Sequence, residues 1–164
     1  MRIALASDHA GFGQLRRLID FLESQGHQCL NFGPRHDDPE DDYPDFIIPA
    51  ARAVAAGECQ RGIIMGGSGQ GEAMAANRLR GVRCAVYYGP AAMLGSSDGQ
   101  PQPNGEPYAI LRLSREHNDA NMLSIGARFV GQAGIEHAVT LWLKTEFSNE
   151  ERHQRRNAKL DKEI

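Results

Sequence analysis

The chemistry-bearing stretch of this chain is Gly66-Gly67-Ser68-Gly69-Gln70-Gly71-Glu72. A short apolar run, Ile63–Met65, stops at these glycines, and a helix-forming segment, Glu72–Arg78, follows. Strand, glycine turn and helix start make an anion cradle, because unpaired backbone N–H groups and the helix dipole both face the turn. Glycine lets the backbone approach the anion closely. A nucleoside-triphosphate loop would continue with Lys and then Ser or Thr after its last glycine. Here Glu72 and Ala73 stand there. The G-x-G-x-x-G spacing of a dinucleotide fold is also missing. The segment therefore offers an anion cradle with a carboxylate at its edge, suited to a small oxyanionic substrate. Taken alone, it is equally open to the plainer reading of a structural turn.

Other residues could serve the same chemistry. Asp8-His9 directly follows the first apolar run, and a His at a strand end can bind phosphate or move protons. His117-Asn118 combines a proton-transfer group with a neutral hydrogen-bonding amide. Arg152 and Arg156 lie one helical turn apart on one face, a spacing suited to bidentate phosphate binding. Arg128 follows Gly126 closely enough to join them. Singly, each has a bland alternative: a structural Asp–His pair, a solvated basic face, a surface arginine at a strand end.

Elements to position these residues alternate along the chain. Strands are expected at Ile3–Ala6, Cys29–Phe32, Ile63–Met65, Val82–Tyr87 and Met122–Ile125. Helical spacing occurs in Leu15, Leu18, Ile19 and Leu22, with Gly26 as a terminator. Further helices are expected from Tyr43-Pro44 to Ala56, over Leu111–His117, over Ile135–Leu143 and, polar throughout, over Glu150–Lys162. Alternation of this kind predicts an α/β, Rossmann-like (flavodoxin-like) fold: five parallel strands with helices on both faces. If strands one and three are neighbours, Ser7–Gly11 and Gly66–Gly71 flank one crevice at the carboxyl ends of the strands. Gly89–Pro107 breaks the rhythm and reads as a long aperiodic loop.

The chain has 164 residues and reads as one domain, with 41% hydrophobic and 24% charged residues. A net charge of −3 suggests neither nucleic acid nor an anionic membrane as partner. No apolar run approaches spanning length, and the N-terminus shows no signal-peptide pattern. Three cysteines without metal spacing suit a reducing cytoplasm. The acidic stretch Asp37–Asp42 reads as solvated rather than as a cation site.

The motifs together resemble the ribose-5-phosphate isomerase B family, which includes the galactose-6-phosphate isomerase subunits. They are Ser7-Asp8-His9-Ala10-Gly11-Phe12, Asp42-Tyr43-Pro44-Asp45, Gly66–Glu72, Ala75-Ala76-Asn77, Arg115-Glu116-His117-Asn118-Asp119-Ala120-Asn121 and Arg152-His153-Gln154-Arg155-Arg156. The resemblance covers almost the whole chain. It implies aldose–ketose isomerisation of a sugar phosphate through an enediolate, with neither metal nor organic cofactor. Many members carry a catalytic Cys just before the glycine turn; this chain has Gly66 and resembles the subgroup in which Glu72 is the base. The resemblance further implies that amides of Gly67, Gly69, Gln70 and Gly71 stabilise the enediolate and that Ser68 relays protons. His117 would open the sugar ring with Asp8 as a polar partner, and Asn118 would hold the carbonyl end. Tyr43 would line the substrate site, and His9, Arg128, Arg152 and Arg156 would bind phosphate. It also implies a homodimer with shared sites, or a tetramer of such pairs, with the C-terminal arginines reaching across. The departure is an insertion of most of 88–105, in the connection leading to the His117 region. Ribose 5-phosphate is the first expectation. Other four- to six-carbon sugar phosphates, or a non-catalytic sensor on the same fold, stay open.

Overall fold

A computed structural model describes residues 1–91, 93 and 106–162. Strand β1, Arg2–Ser7, leads through a single 3-10 turn, His9–Gly11, into helix α1, Phe12–Ser24. Strand β2 is Gln28–Asn31, α2 is Pro44–Ala55 and β3 is Arg61–Gly66. Helix α3, Gln70–Ala76, β4, Cys84–Tyr87, and α4, Ala109–Glu116, follow. Strand β5, Met122–Gly126, helix α5, Gln132–Lys144, and helix α6, Glu151–Leu160, complete the chain.

The five strands form one parallel sheet in the order β2-β1-β3-β5-β4. The expected doubly wound sheet is present, and β1 and β3 are neighbours. Relative to a simple flavodoxin order, the last two strands are exchanged. Period-two alternation sorts the core. Ile3 and Leu5 of β1 pack with Leu15, Leu18 and Leu22 of α1 and with Ile135, Val139 and Trp142 of α5. Ala4 and Ala6 face the other way, against Ile47, Ala50, Ala51 and Val54 of α2. Small side chains on that face let α2 lie close to the sheet.

Local chemistry explains where elements stop. Gly26 (φ 81°) and Gly57 (φ 74°) follow α1 and α2 in the left-handed conformation that glycine adopts without strain. Pro44 opens α2, where its missing N–H costs nothing. Helix α3 begins two residues before the expected Glu72, because left-handed Gly69 already turns the chain into it. Strand β4 begins at Cys84 rather than Val82, since a turn closes with the Val82 amide bonding the Leu79 carbonyl. The last helix ends at Leu160 rather than Lys162. Most of the loop expected over 88–107 lies outside the described residues. Its two ends meet, the Ala91 amide donating to the Pro107 carbonyl.

Candidate active site

The carboxyl edge of the sheet gathers the loops after β1, β3 and β5. Parallel register sets Ser7 beside Met65 and Gly66 beside Gly126. The glycine loop is laced to the turn after β5: Ala127 N–H donates to the Gly66 carbonyl at 2.8 Å and Arg128 N–H to that of Gly67 at 3.2 Å. Buried Ser124 donates to the Gly69 carbonyl at 2.6 Å. These bonds use the loop's carbonyls and leave the amides of Gly67, Ser68 and Gly69 with no backbone acceptor among the described residues. The exposed Ser68 hydroxyl accepts from the Gln70 amide.

Glu72 reaches back from α3 into this edge and is 4% exposed. Its carboxyl lies directly over Gly66, where the first carbon of any side chain would overlap it. Gly66 and Glu72 thus share one space: a residue with a side chain at 66 and a carboxylate reaching back from 72 exclude each other. Burial pushes the Glu72 carboxyl above the usual range, and the nearby Asp8 adds to this; a bond from its own amide opposes them. Glu72 stands in the first turn of α3, where the helix dipole favours the anion. Such a dipole contributes about 0.3–1 kcal/mol when exposed, and burial outweighs it here.

Other candidate residues lie along the same edge. Asp8 is buried and accepts from the Ala10 amide. His9 Nδ1 lies 2.7 Å from Asp41 Oδ1. The Tyr43 ring lies over Gly71, and the exposed Arg128 guanidinium lies over Gly67. A side chain at either glycine would displace its neighbour. The Tyr88 ring packs on Gly126 and meets Phe129 edge-on, which puts the base of the long loop at the same rim.

His117 and Asn118 are elsewhere. They precede β5, and Asn118 and Asp119 carbonyls accept from Arg83, which precedes β4. Both therefore belong to the amino edge of the sheet. The length of β5 alone separates the two edges by about 13 Å. Helix α6 docks at the amino edge as well. His153 stacks on His117 with ring centroids 4.1 Å apart, and Asn157 donates to the His117 carbonyl. His153 and Asn157 are the inward, buried positions of α6, while Arg152 and Arg156 face solvent. Arg152 pairs with Glu150 at 2.7 Å. Within one chain, then, Asp8 is not a neighbour of His117. Asp8, His9, Tyr43, Gly67–Glu72 and Arg128 lie at the carboxyl edge, and His117, Asn118, Arg152 and Arg156 lie with the amino edge and α6.

Two residues of the resembling motifs hold structure. Arg115 is 1% exposed and bonds Asp119, the Ala120 carbonyl and the Thr145 carbonyl. Asn77 ties the end of α3 to Cys84 through both side-chain atoms. The three cysteines are free and lie away from the glycine loop; burial raises Cys29 to about 11 and also raises Cys59 and Cys84. Among the described residues no helix is long and apolar enough to cross a membrane. In the acidic stretch Asp37, Glu40 and Asp42 are exposed, and Asp41 departs from the solvated expectation, with its side chain 7% exposed. It was missed because its partner stands 32 residues earlier.

Comparison with known proteins gives this arrangement its context. A family model described as Ribose/Galactose Isomerase matches residues 3–93 and 108–160, skipping only the heart of the aperiodic stretch. Ribose-5-phosphate isomerase B of Mycolicibacterium paratuberculosis is 38% identical over 95% of this chain and 87% of its own. The Escherichia coli protein of the same name is 33% identical over 94% and 91%. Among solved structures, ribose-5-phosphate isomerase B of Clostridium thermocellum superposes with a TM-score of 0.84 at 38% identity, covering 99% of this chain and 96% of that one. The Mycoplasma genitalium enzyme with bound ribulose-5-phosphate gives 0.84 at 30% identity, covering 99% and 95%. With the family model, identity and superposition agreeing over nearly the whole length, the chain belongs to the ribose/galactose isomerase family.

Proposed function

We propose that this protein interconverts ribose 5-phosphate and ribulose 5-phosphate by proton transfer through an enediolate. The observation that carries the reading is the buried Glu72 carboxylate, seated over Gly66 beside the amides of Gly67, Ser68 and Gly69, which have no backbone acceptor among the described residues. Isomerisation needs a base that removes a proton next to a carbonyl and returns it to the adjacent carbon. A carboxylate raised by burial is better matched to that task than a solvated one. Oxyanion charge appears only as the proton leaves, so the amides of Gly67 to Gly71 act most strongly in the transition state. Ser68 moves the hydroxyl proton between the two substrate oxygens. Ribulose-5-phosphate bound in the Mycoplasma genitalium enzyme supports the sugar.

The carboxyl-edge and amino-edge groups are half-sites that complete each other in a homodimer, or in a tetramer of such pairs. One chain supplies Glu72, the glycine loop, Tyr43, Asp8, His9 and Arg128. Its partner supplies His117 to open the ring, Asn118 to hold the carbonyl end, and Arg152 and Arg156 for the phosphate. The support is the separation of the half-sites onto opposite edges of one sheet, with both arginines exposed. Free thiols held protonated by burial suit a reducing cytoplasm.

A second reading, the same chemistry on another four- to six-carbon sugar phosphate, is favoured by one observation: Tyr88, at the base of the long loop, packs at the catalytic rim. A coupled assay over a panel of aldose phosphates decides. Ribose 5-phosphate should give the highest kcat/KM. A higher value on another sugar selects the second reading, and binding without turnover of any sugar makes the protein a sensor.

A further inference from the structure

We infer that Asp41 is a positioning residue whose carboxylate grips the His9 imidazole through Nδ1–H and so presents Nε2 to the substrate's phosphate. The inference rests on the isomerase reading for the identity of that anion, and on the following geometry for the rest.

Asp41 Oδ1 takes two bonds from His9, one from Nδ1 at 2.7 Å and one from the backbone amide at 3.2 Å. Ring and backbone are therefore fixed by one oxygen. Asp41 is itself braced, its amide donating to the Asp38 carbonyl just before the chain enters α2. Its side chain is 7% exposed, against 29% for His9, so the carboxylate lies behind the ring and the ring faces the opening. Oδ2 is buried with no hydrogen-bond partner among the described residues, so no competing donor draws the carboxylate away from the histidine.

An ionised carboxylate only accepts hydrogen bonds, so Nδ1 must carry its proton. Neutral His9 then turns a bare Nε2 lone pair toward the site and repels a phosphate. The imidazolium donates from Nε2 and attracts it. Phosphate binding through His9 is thus tied to the charged ring. The bond from Asp41 favours that charge most, the Asp8 and Asp37 charges add to it, and partial burial opposes it, for a net rise above the ordinary histidine value. In the assembled site the partner subunit's Arg152 and Arg156 would face the same phosphate and oppose the rise. A sugar phosphate is dianionic above about pH 6. Attraction is therefore greatest between that pH and the raised His9 value, and fades above it.

The test is 15N NMR of the intact protein over about pH 5.5–9, with and without inorganic phosphate, His9 being assigned through His9→Gln. Neutral wild-type His9 should show the Nδ1–H tautomer, a readout that needs no change at Asp41. Asp41→Asn should lower the His9 pKa by about one unit. It should raise KM for ribose 5-phosphate about tenfold near neutral pH with kcat nearly kept, the size expected for one charge-assisted bond. Asp41→Glu should restore most of both. An Nε2–H tautomer, an unmoved pKa in Asp41→Asn, or a KM penalty equal at every pH would overturn the proposal. So would stoichiometric uptake of a divalent ion by Asp8, His9 and Asp41, whose ligand atoms lie within 4.8 Å of one another. If the wild type does not turn over ribose 5-phosphate, the isomerase reading fails, while tautomer, pKa and phosphate response still judge Asp41.

Discussion

The pairing of Gly66 with Glu72 makes separable predictions about the base. Glu72→Gln keeps the shape and removes the basicity, so kcat should fall by about a thousandfold or more while substrate still binds. Stability should move the other way. A carboxyl raised on folding contributes fully below its ordinary value of 4.5, and that contribution is lost as pH rises through the folded value. At neutral pH the buried anion is therefore a cost, and the amide variant should melt no lower than wild type. A clearly lower melting temperature would mean that Glu72 has a structural role. Gly66→Ala tests the shared space: its methyl would displace the carboxyl, so turnover should collapse although no polar atom is lost. Wild-type activity in Gly66→Ala would show that the observed carboxyl position is not the working one. The carboxylate at the edge of the glycine turn was legible in the sequence; its seat over Gly66 was not, because only the fold turns Glu72 back over the end of β3. Asp41 was not legible: acids in a run read as solvated, and only tertiary folding placed one of them behind His9.

At the scale of elements, α6 holds His117 through an imidazole stack with little apolar contact. Burial lowers the His153 pKa, and the neighbouring His117 and the Arg152 charge lower it further. A histidine kept neutral by folding contributes its stability above about pH 6.5, and the contribution is lost as pH falls below that value. The α6 amides should therefore exchange hydrogen faster as pH drops from about 7.5 to 5.5, beyond the intrinsic trend, and His153→Phe should abolish that pH response. An α6 whose protection ignores pH in the wild type would show that the stack does not hold the helix. Strands and helices were legible from periodicity, with shifts at ends set by turns such as Gly69 and Leu79–Val82. The placement of α6 was not, because its inward residues, His153 and Asn157, are polar and carry no hydrophobic signal.

At the scale of the whole molecule, sheet direction decides which edge each group of candidate residues occupies. The glycine loop follows β3 and His117 precedes β5, so parallel strands put them on opposite edges. That signal was present in the sequence; the pairing of the last strand with β3 rather than with its sequence neighbour alone came from the fold. A two-chain site is the account's central claim, and mixed dimers test it most directly. Glu72→Gln protein and Arg152→Ala/Arg156→Ala protein, each nearly inactive at low substrate, are co-refolded and the mixed dimer is confirmed by mass. With the arginines serving the neighbour, one site of each mixed dimer takes both lesions and the other takes none. Random mixing then restores about a quarter of wild-type activity. Activity that stays at the level of the parents, with mixed dimers demonstrably formed, would place the arginines in their own chain's site and contradict the shared-site account.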